Sequence, residues 1–570
     1  MDTIETRVQQ AYQSLQAGRF SEAEQRARSA LSQAPRDVNA LHLCALACQA
    51  TGKAQEAIDL FEQTLDVQFT QLQVVQNYLN YLMQLGLYGQ IQSLMKRAVA
   101  VWSNNYQFHV YHGISLKELK RFEESVEAYD QALKIKPNDK VALHNKGVSL
   151  RLHQKPKEAL ACYQKIPGGD KIAELRLNRG CALMDLQDYE KAECEFDAAL
   201  ALNPALTDAH ENLNKLYWEY EKTDKVMSTY TLGLQKADSE TMRLSYISQL
   251  LNIGQDDKAE ESIKKAISKF GEVPGLNHIH GRLFAKKGDH EAAVRLTEKA
   301  LDQIPNVPRY RLDMASNLIC LGRYEEALTH LDYAEQMTPD DQELWAYKGT
   351  CWRLLGDAKH KWLNDYDQLV RGVQLPVPEG YETLEHFMKT MSEQIKLFHE
   401  TKTHPLDQSL RNGTQSSFFL LGHESKIIQD FRRSLSEAVS TYLASMPRDA
   451  THPFLRRISE ATNFTFSGSW SVRLKSEGFH VNHMHPEGWL SGPSYIDVPE
   501  AIYKEDPKRA GWVKFGETGL NLDPSLEVVE KAVCPEVGLV VFFPSYIWHG
   551  TYPFESNQYR TTAPMDVMPA

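Results

Sequence analysis

The chain has 570 residues, 42% of them hydrophobic and 24% charged, with a formal net charge of -12. That length is too great for one core and predicts several units, or a repeat array joined to a further domain. A mildly acidic chain with no Lys/Arg-dense block disfavours nucleic acid as a partner, and no apolar run approaches the roughly 18 residues that a membrane helix needs.

The first residues, MDTIETRVQQAYQSL, carry an acid at the second position and no apolar stretch, so neither a secretory signal nor a transit peptide is expected. Glycines then recur at Gly18, Gly52 and Gly86, and again at Gly254, Gly288, Gly322 and Gly356, every step within a group being 34 residues. Between the groups the same phase passes through Lys120, Gln154, Gln187 and Lys222, with slips of one or two residues. Pro35, Pro137, Pro305 and Pro339 close second helices on the same beat. Each period reads as helix, tight turn, helix, and one such pair cannot bury its apolar face alone, so neighbours must stack into a superhelix with a concave groove. Tyr88, Phe122, Tyr189 and Tyr324, at the start of second helices, are expected in inter-helix packing. Seven of the eight cysteines lie in this region, Cys44 and Cys48 close together but not at metal-like spacing, and they read as buried thiols of a cytoplasmic protein. Residues 1 to 365 resemble the tetratricopeptide repeat family. The resemblance implies a groove for a protein or peptide partner, or a surface on which two copies form a homodimer.

After Gly356 the beat stops. RGVQLPVPEGYETLEHF breaks the helical period and marks a junction, placed at 366–385. Two further helical stretches follow, YETLEHFMKTMSEQIKLFHET and IIQDFRRSLSEAVSTYLASM, separated by HPLDQSLRNGTQSSFFL, whose His404, Gln408, Arg411, Thr414 and Gln415 form a polar cluster without helical amphipathicity. From Phe454 onward the period changes to two. NFTFSGSWSVRLKSEGF alternates like a half-buried strand. WLSGPSYIDV, GWVKFG, LEVVEKAV, VGLVVFFPSYIWHG and YRTTAPMDV follow as short strands bounded by turn residues, predicting a jelly roll over 386–570.

Within this region GFHVNHMHPEGWLSG places His480, His483 and His485 within six positions. Residues two apart on an extended chain share a side, so His483 and His485 can meet one ion while His480 points elsewhere. Downstream, His549 ends a buried strand. A turn centred on Phe554 and Glu555 would make His549 and Arg560 cross-strand neighbours on one inward face. Burying an imidazole beside a guanidinium is costly unless something anionic completes the pair, and a metal with a carboxylate ligand gripped by the arginine would do so.

HPLDQSLRNGTQ, FSGSWSVRLKSEGFHVNHMHPEGWLSG and VVFFPSYIWHGTYPF resemble a bacterial family of tetratricopeptide proteins that end in a 2-oxoglutarate/Fe(II)-dependent oxygenase domain. The resemblance implies an α-solenoid followed by a double-stranded β-helix, with Fe(II) as metal, 2-oxoglutarate as cosubstrate and O2 as oxidant. It implies His483 and His549 as metal ligands, Arg560 as partner of the far carboxylate of 2-oxoglutarate, and Thr562 as a hydroxyl beside it. Trp489, Ser491 and Tyr495 would line the pocket, and the VGLVVFFP run and Trp548 would either wall it or fill the core of the sheet, while Arg411 and Gln415 would meet the substrate. His485 stands where the family carries Asp or Glu. The third ligand is therefore His485 itself, a nearby carboxylate such as Glu487 or Asp497, or water. The activity implied is hydroxylation of a protein or peptide selected by the repeats; a scaffold with a structural or inactive metal site, or a small-molecule oxygenase that the repeats dimerise, are the alternatives.

Overall fold

The structure is a computed structural model that describes residues 3–399, 408–458 and 463–569. Two compact units divide between Gly169 and Asp170.

The first unit consists of helical hairpins, beginning with Ile4–Gln16 and Phe20–Leu31 and ending with Lys140–Leu152 and Pro156–Gln164. Thr3, Asp37, Asn105 and Asp139 cap the first helix of their hairpins by accepting backbone N–H groups, each cap contributing about 1 kcal/mol. The turn between the two helices needs one residue in the left-handed region. Gly18, Gly52 and Gly86 supply it at φ 72°, 77° and 68°, and Lys120 and Gln154 adopt it at 61° and 63°. Alanines such as Ala11, Ala27, Ala40 and Ala57 fill the seam between helices. At Gly113 and Gly147 the missing side chain admits the rings of Tyr129 and Tyr163, which would lie 2.7 and 2.3 Å from an added Cβ.

The second unit opens with more hairpins, from Ala173–Asp185 and Tyr189–Leu202 to Gln342–Leu355. Their left-handed residues are Gln187, Glu221, Gly254, Gly288, Gly322 and Gly356, so the turn after Thr207–Glu219 falls at Glu221, one position before the Lys222 mark. The period also brings equivalent side chains of successive first helices together. Asn214 donates to Gln249 at 3.0 Å, His278 meets Asp313 at 2.5 Å and Arg309 donates to Glu343 at 2.6 Å.

Ten strands follow among the described residues: β1 (Arg371–Gln374), β2 (Leu410–Gln415), β3 (Phe464–Ser469), β4 (Val472–His480), β5 (Leu490–Asp497), β6 (Val513–Phe515), β7 (Lys531–Val533), β8 (Leu539–Pro544), β9 (His549–Thr551) and β10 (Arg560–Pro569). One antiparallel sheet runs β1-β8-β5-β10-β4-β2, with β3 also pairing to β10; a second runs β7-β6-β9. Two packed antiparallel sheets of this kind are compatible with a jelly roll.

Three sequence expectations change here. The junction contributes β1, paired with β8 from Arg371↔Phe542 to Gln374↔Leu539. The polar cluster around Arg411 is strand β2, paired with β4, and His404 lies outside the described residues. The run NFTFSGSWSVRLKSEGF is two strands, interrupted at Trp470 and Ser471. The helices Leu384–Lys396 and Lys426–Ala444 pack on the sheet, with Phe387, Met391, Phe431 and Leu435 in its core.

The change of architecture near residue 365 is not a gap in packing. One hydrophobic core runs from Val294 in the repeats through Trp345, Leu363 and Phe431 to Phe542 and Val567. Polar contacts reinforce it: Arg353 donates to the Leu526 carbonyl at 2.6 Å, Tyr546 to that of Leu363 at 2.7 Å, and Lys531 to that of Tyr366 at 2.9 Å.

The left-handed turns give a stability prediction. Around Gly288 (φ 83°) a Cβ would meet nothing within 4 Å, so Gly288→Ala adds backbone strain alone. It should destabilise the second unit by about 1 kcal/mol, and Lys120→Gly should stabilise the first by up to about the same amount. Urea unfolding followed by circular dichroism measures both; equal midpoints for parent and variants would show that turn strain does not matter.

Candidate metal centre

β4 ends at His480, and the chain then bends at Asn482 before reaching His483 and His485. His483 forms an isolated antiparallel bridge with His549, its N–H donating to the His549 carbonyl at 2.8 Å and its carbonyl accepting the His549 N–H at 2.9 Å. His485 is anchored by its N–H on the Ser545 carbonyl at 2.9 Å. One ligand atom from each of His483, His485 and His549 lies within 4.8 Å of the other two, and the Nε2 atoms of His483 and His485 are 3.3 Å apart.

The second ring nitrogens fix the orientation. Nδ1 of His483 faces the Val481 carbonyl at 2.8 Å, Nδ1 of His549 the Ile547 carbonyl at 3.0 Å, and Nδ1 of His485 the Asp566 carboxylate at 2.6 Å. Each acceptor holds the ring proton on Nδ1 and leaves the Nε2 lone pair for the cavity. Burial, before any neighbour, pushes the His483 imidazole down to about 3 and His549 well below the usual range, and repulsion between adjacent imidazoles adds to it. Both rings are therefore neutral at pH 7, the form that binds a metal.

The cavity has a volume of about 560 Å³. Arg560, Thr562, Pro564 and Asp566, alternate residues of β10, line one wall. Arg560 is 2% exposed, and its Nε and Nη1 have no hydrogen-bond partner among the described residues. Its guanidinium lies 5.2 Å over the ring of Tyr495, whose hydroxyl is likewise unpartnered. Two buried guanidinium donors without an acceptor call for an anion. Val513, Phe543 and Pro493 add apolar wall, and Phe543 packs 4.5 Å from the His549 ring. Gln415 lines the cavity as well.

Several assignments need correction. His549 and Arg560 are not cross-strand neighbours: His549 pairs with Phe515 in the smaller sheet and Arg560 with Leu474 in the larger, because residues 552–559 cross between sheets. They reach one cavity from two sides. Trp489 precedes β5 and turns inward, donating from Nε1 to the Phe454 carbonyl at 3.1 Å and packing on that ring. Ser491 faces the cavity side but lies beneath His485, donating to Asp566 at 2.6 Å. Arg411 is exposed and folds back onto the carbonyls of Gln408 and Leu410. Trp548 points to the repeats, donating to Thr350 and stacking on Tyr347. Asp497 accepts from Ser392 at 2.8 Å, and Glu487 is exposed on the cavity lining, outside the three-nitrogen group. His480 lines the cavity too, its Nδ1 2.9 Å from the Ser409 hydroxyl and not part of that group.

Sequence reasoning missed Asp566, Ser545 and Ser409. Asp566 was accessible, since it stands six residues after Arg560 and an even spacing on a strand keeps one face. Among the described residues one other group, Glu24, Cys48 and Glu56, has ligand atoms within the same distance, but Arg28 and Lys53 already neutralise its carboxylates.

Among known families, residues 468–566 match the family described as "Putative 2OG-Fe(II) oxygenase". Residues 14–75 and 284–350, and in a second family 112–139 and 173–206, match tetratricopeptide repeats. No curated protein matches the chain. Among solved structures, "MamA AMB-1" is 20% identical over 28% of this chain and 88% of its own, with a TM-score of 0.26. "Naa15/Naa10 bound to HypK-THB" is 15% identical over 65% and 63%, at 0.32, and the pilF protein of Pseudomonas aeruginosa is 17% identical over 37% and 96%, at 0.29. Scores this low carry no inference about the chain. The donor set fits the group that the oxygenase family implies: three convergent imidazole nitrogens suit Fe(II), and the unpartnered donors of Arg560 suit a dicarboxylate.

An unpartnered buried cation is a liability to the ligand-free fold. Arg560→Met, of similar length and apolar, should stabilise the ligand-free protein by about 1–3 kcal/mol in denaturant unfolding. A variant less stable than its parent would mean that the guanidinium is already satisfied.

Proposed function

We propose that this chain, which carries tetratricopeptide repeats and a C-terminal domain matching the 2-oxoglutarate/Fe(II) oxygenase family, is a hydroxylase of a protein or peptide. The observation that carries this reading is one cavity holding both the three imidazole nitrogens and the unpartnered Arg560 guanidinium. Bound Fe(II), with 2-oxoglutarate and O2, supplies oxidation of an unactivated C–H bond, leaving succinate and CO2.

The chain's own residues do the positioning. His483, His485 and His549 would hold the metal through Nε2, with backbone pairing fixing two of the three residues. Arg560 would take the far carboxylate of the cosubstrate through its unpartnered N–H donors, and the Thr562 hydroxyl and Tyr495 Oη stand on the same wall. Phe543, Val513, Pro493 and Pro564 keep water from the reacting centre. Pro486 and Glu487, exposed on the lining, meet the substrate at the mouth, with Trp470 and Gln415 behind them. The core shared between the last repeats and the sheets supports delivery of a polypeptide held by the repeats.

Anaerobic addition of Fe(II) and 2-oxoglutarate should give a weak visible absorption band, and air should then give succinate. Arg560→Ala should retain Fe(II) but lose the band and the succinate; His549→Ala should lose the metal. Stoichiometric metal without band or succinate in the parent would favour the scaffold reading, for which the absence of a carboxylate from the three-nitrogen group is the motive.

A further inference from the structure

We propose that Asp566 is the carboxylate of this centre, acting one hydrogen bond behind His485 instead of on the metal. The proposal rests on the reading of the three histidines as metal ligands.

The three imidazoles are held alike but not by equivalent acceptors. His483 and His549 give their Nδ1 protons to neutral backbone carbonyls, whereas His485 gives its proton to the Oδ1 of Asp566 at 2.6 Å. An anionic acceptor polarises the N–H bond further and makes the opposite nitrogen the stronger donor. Of the three rings, His485 is therefore the one whose Nδ1 faces a charged side chain among the described residues.

Asp566 is itself built in. It stands opposite Ser491 across the β10–β5 pair, and the Ser491 hydroxyl donates to Oδ1 at 2.6 Å while lying 2.7 Å from that of Ser545. Ser545 also receives the His485 N–H on its carbonyl, so one residue braces both partners. Gly488 leaves the space for this layer: an added Cβ would lie 2.4 Å from the Ser545 hydroxyl and 3.2 Å from Oδ1 of Asp566. Asp566 is 7% exposed, and among the described residues it pairs with His485 and with no lysine or arginine. A buried carboxylate without a fixed cation is costly, and a metal across the imidazole supplies the missing positive charge. Three neutral imidazoles with one carboxylate behind them carry the same total charge as two imidazoles and a coordinated carboxylate. The substitution at position 485 moves that charge outward by one ring.

Asp566 is thus a positioning residue, tested by binding of Co(II) alone to the full chain, followed by calorimetry and by the visible spectrum of the bound ion. Asp566→Asn keeps the size and an acceptor oxygen but removes the charge. It should weaken Co(II) about 10- to 100-fold and shift the spectrum, with circular dichroism unchanged. In a His485→Ala background the same change should have no further effect on affinity, since the residue acts through that ring. Affinity within twofold of the parent for Asp566→Asn overturns the proposal. So does an equal loss in both backgrounds, which would make the effect a general structural one. A near-normal His485→Ala beside an Asp566→Asn as severe as His549→Ala would place the carboxylate on the metal and also overturn it. A parent that takes up no Co(II), or His483→Ala and His549→Ala variants that bind as the parent does, removes the three-histidine reading and this proposal with it.

Discussion

The reciprocal backbone pair between His483 and His549 is the contact on which the site depends. Two N–H···O bonds of 2.8 and 2.9 Å tie the segment after β4 to the strand that opens the smaller sheet. Directly opposed residues of an antiparallel pair place their side chains on one face. The imidazoles are thus neighbours because the main chain makes them so, and their ring orientation is refined afterwards by Val481 and Ile547. A site organised by the backbone bears the repulsion and desolvation of packed imidazoles without relying on flexible side chains to hold position.

The same logic explains how Arg560 serves the cavity from the opposite side. β10 is the central strand of the larger sheet, paired with β5 along most of its length and with β3 and β4 at its two ends, and it is buried from Arg560 to Val567. Its alternate side chains form a ruler: guanidinium, hydroxyl, proline, carboxylate. One strand therefore sets the distance between the Arg560 guanidinium and the carboxylate behind His485, while the two sheets together set the distance from either to the three histidines.

Much of this was legible in the chain before any coordinates, for identifiable reasons. The 34-residue beat was visible because a left-handed turn favours glycine. Where Lys120, Gln154, Gln187 and Glu221 occupy that turn, phase alone could place it, and at Glu221 it slipped by one. His483, His485, His549 and Arg560 stood out as rare polar residues in apolar runs. What the residues did not carry was sheet membership. PFESN has the composition of a hairpin turn, yet residues 552–559 cross between sheets, so the 549–560 register was misplaced. Trp489 and Ser491 were misassigned because depth within a layer, unlike side, has no period. The polar segment around Arg411 hid a strand because its pairing with β4 is irregular, with a shift between Arg411 and Gly413.

Trp548 immediately precedes a proposed ligand, and it is clamped by groups of the repeats, Thr350 at its nitrogen and Tyr347 on its face. Tyr347 in turn donates to Glu343, which holds Arg309. The C-terminal domain is consequently not a portable cassette. Excised at residue 366, it would present Trp548 and its neighbouring core to water and free the residue next to His549 from its mould, so the helices before it form part of the wall behind the three histidines.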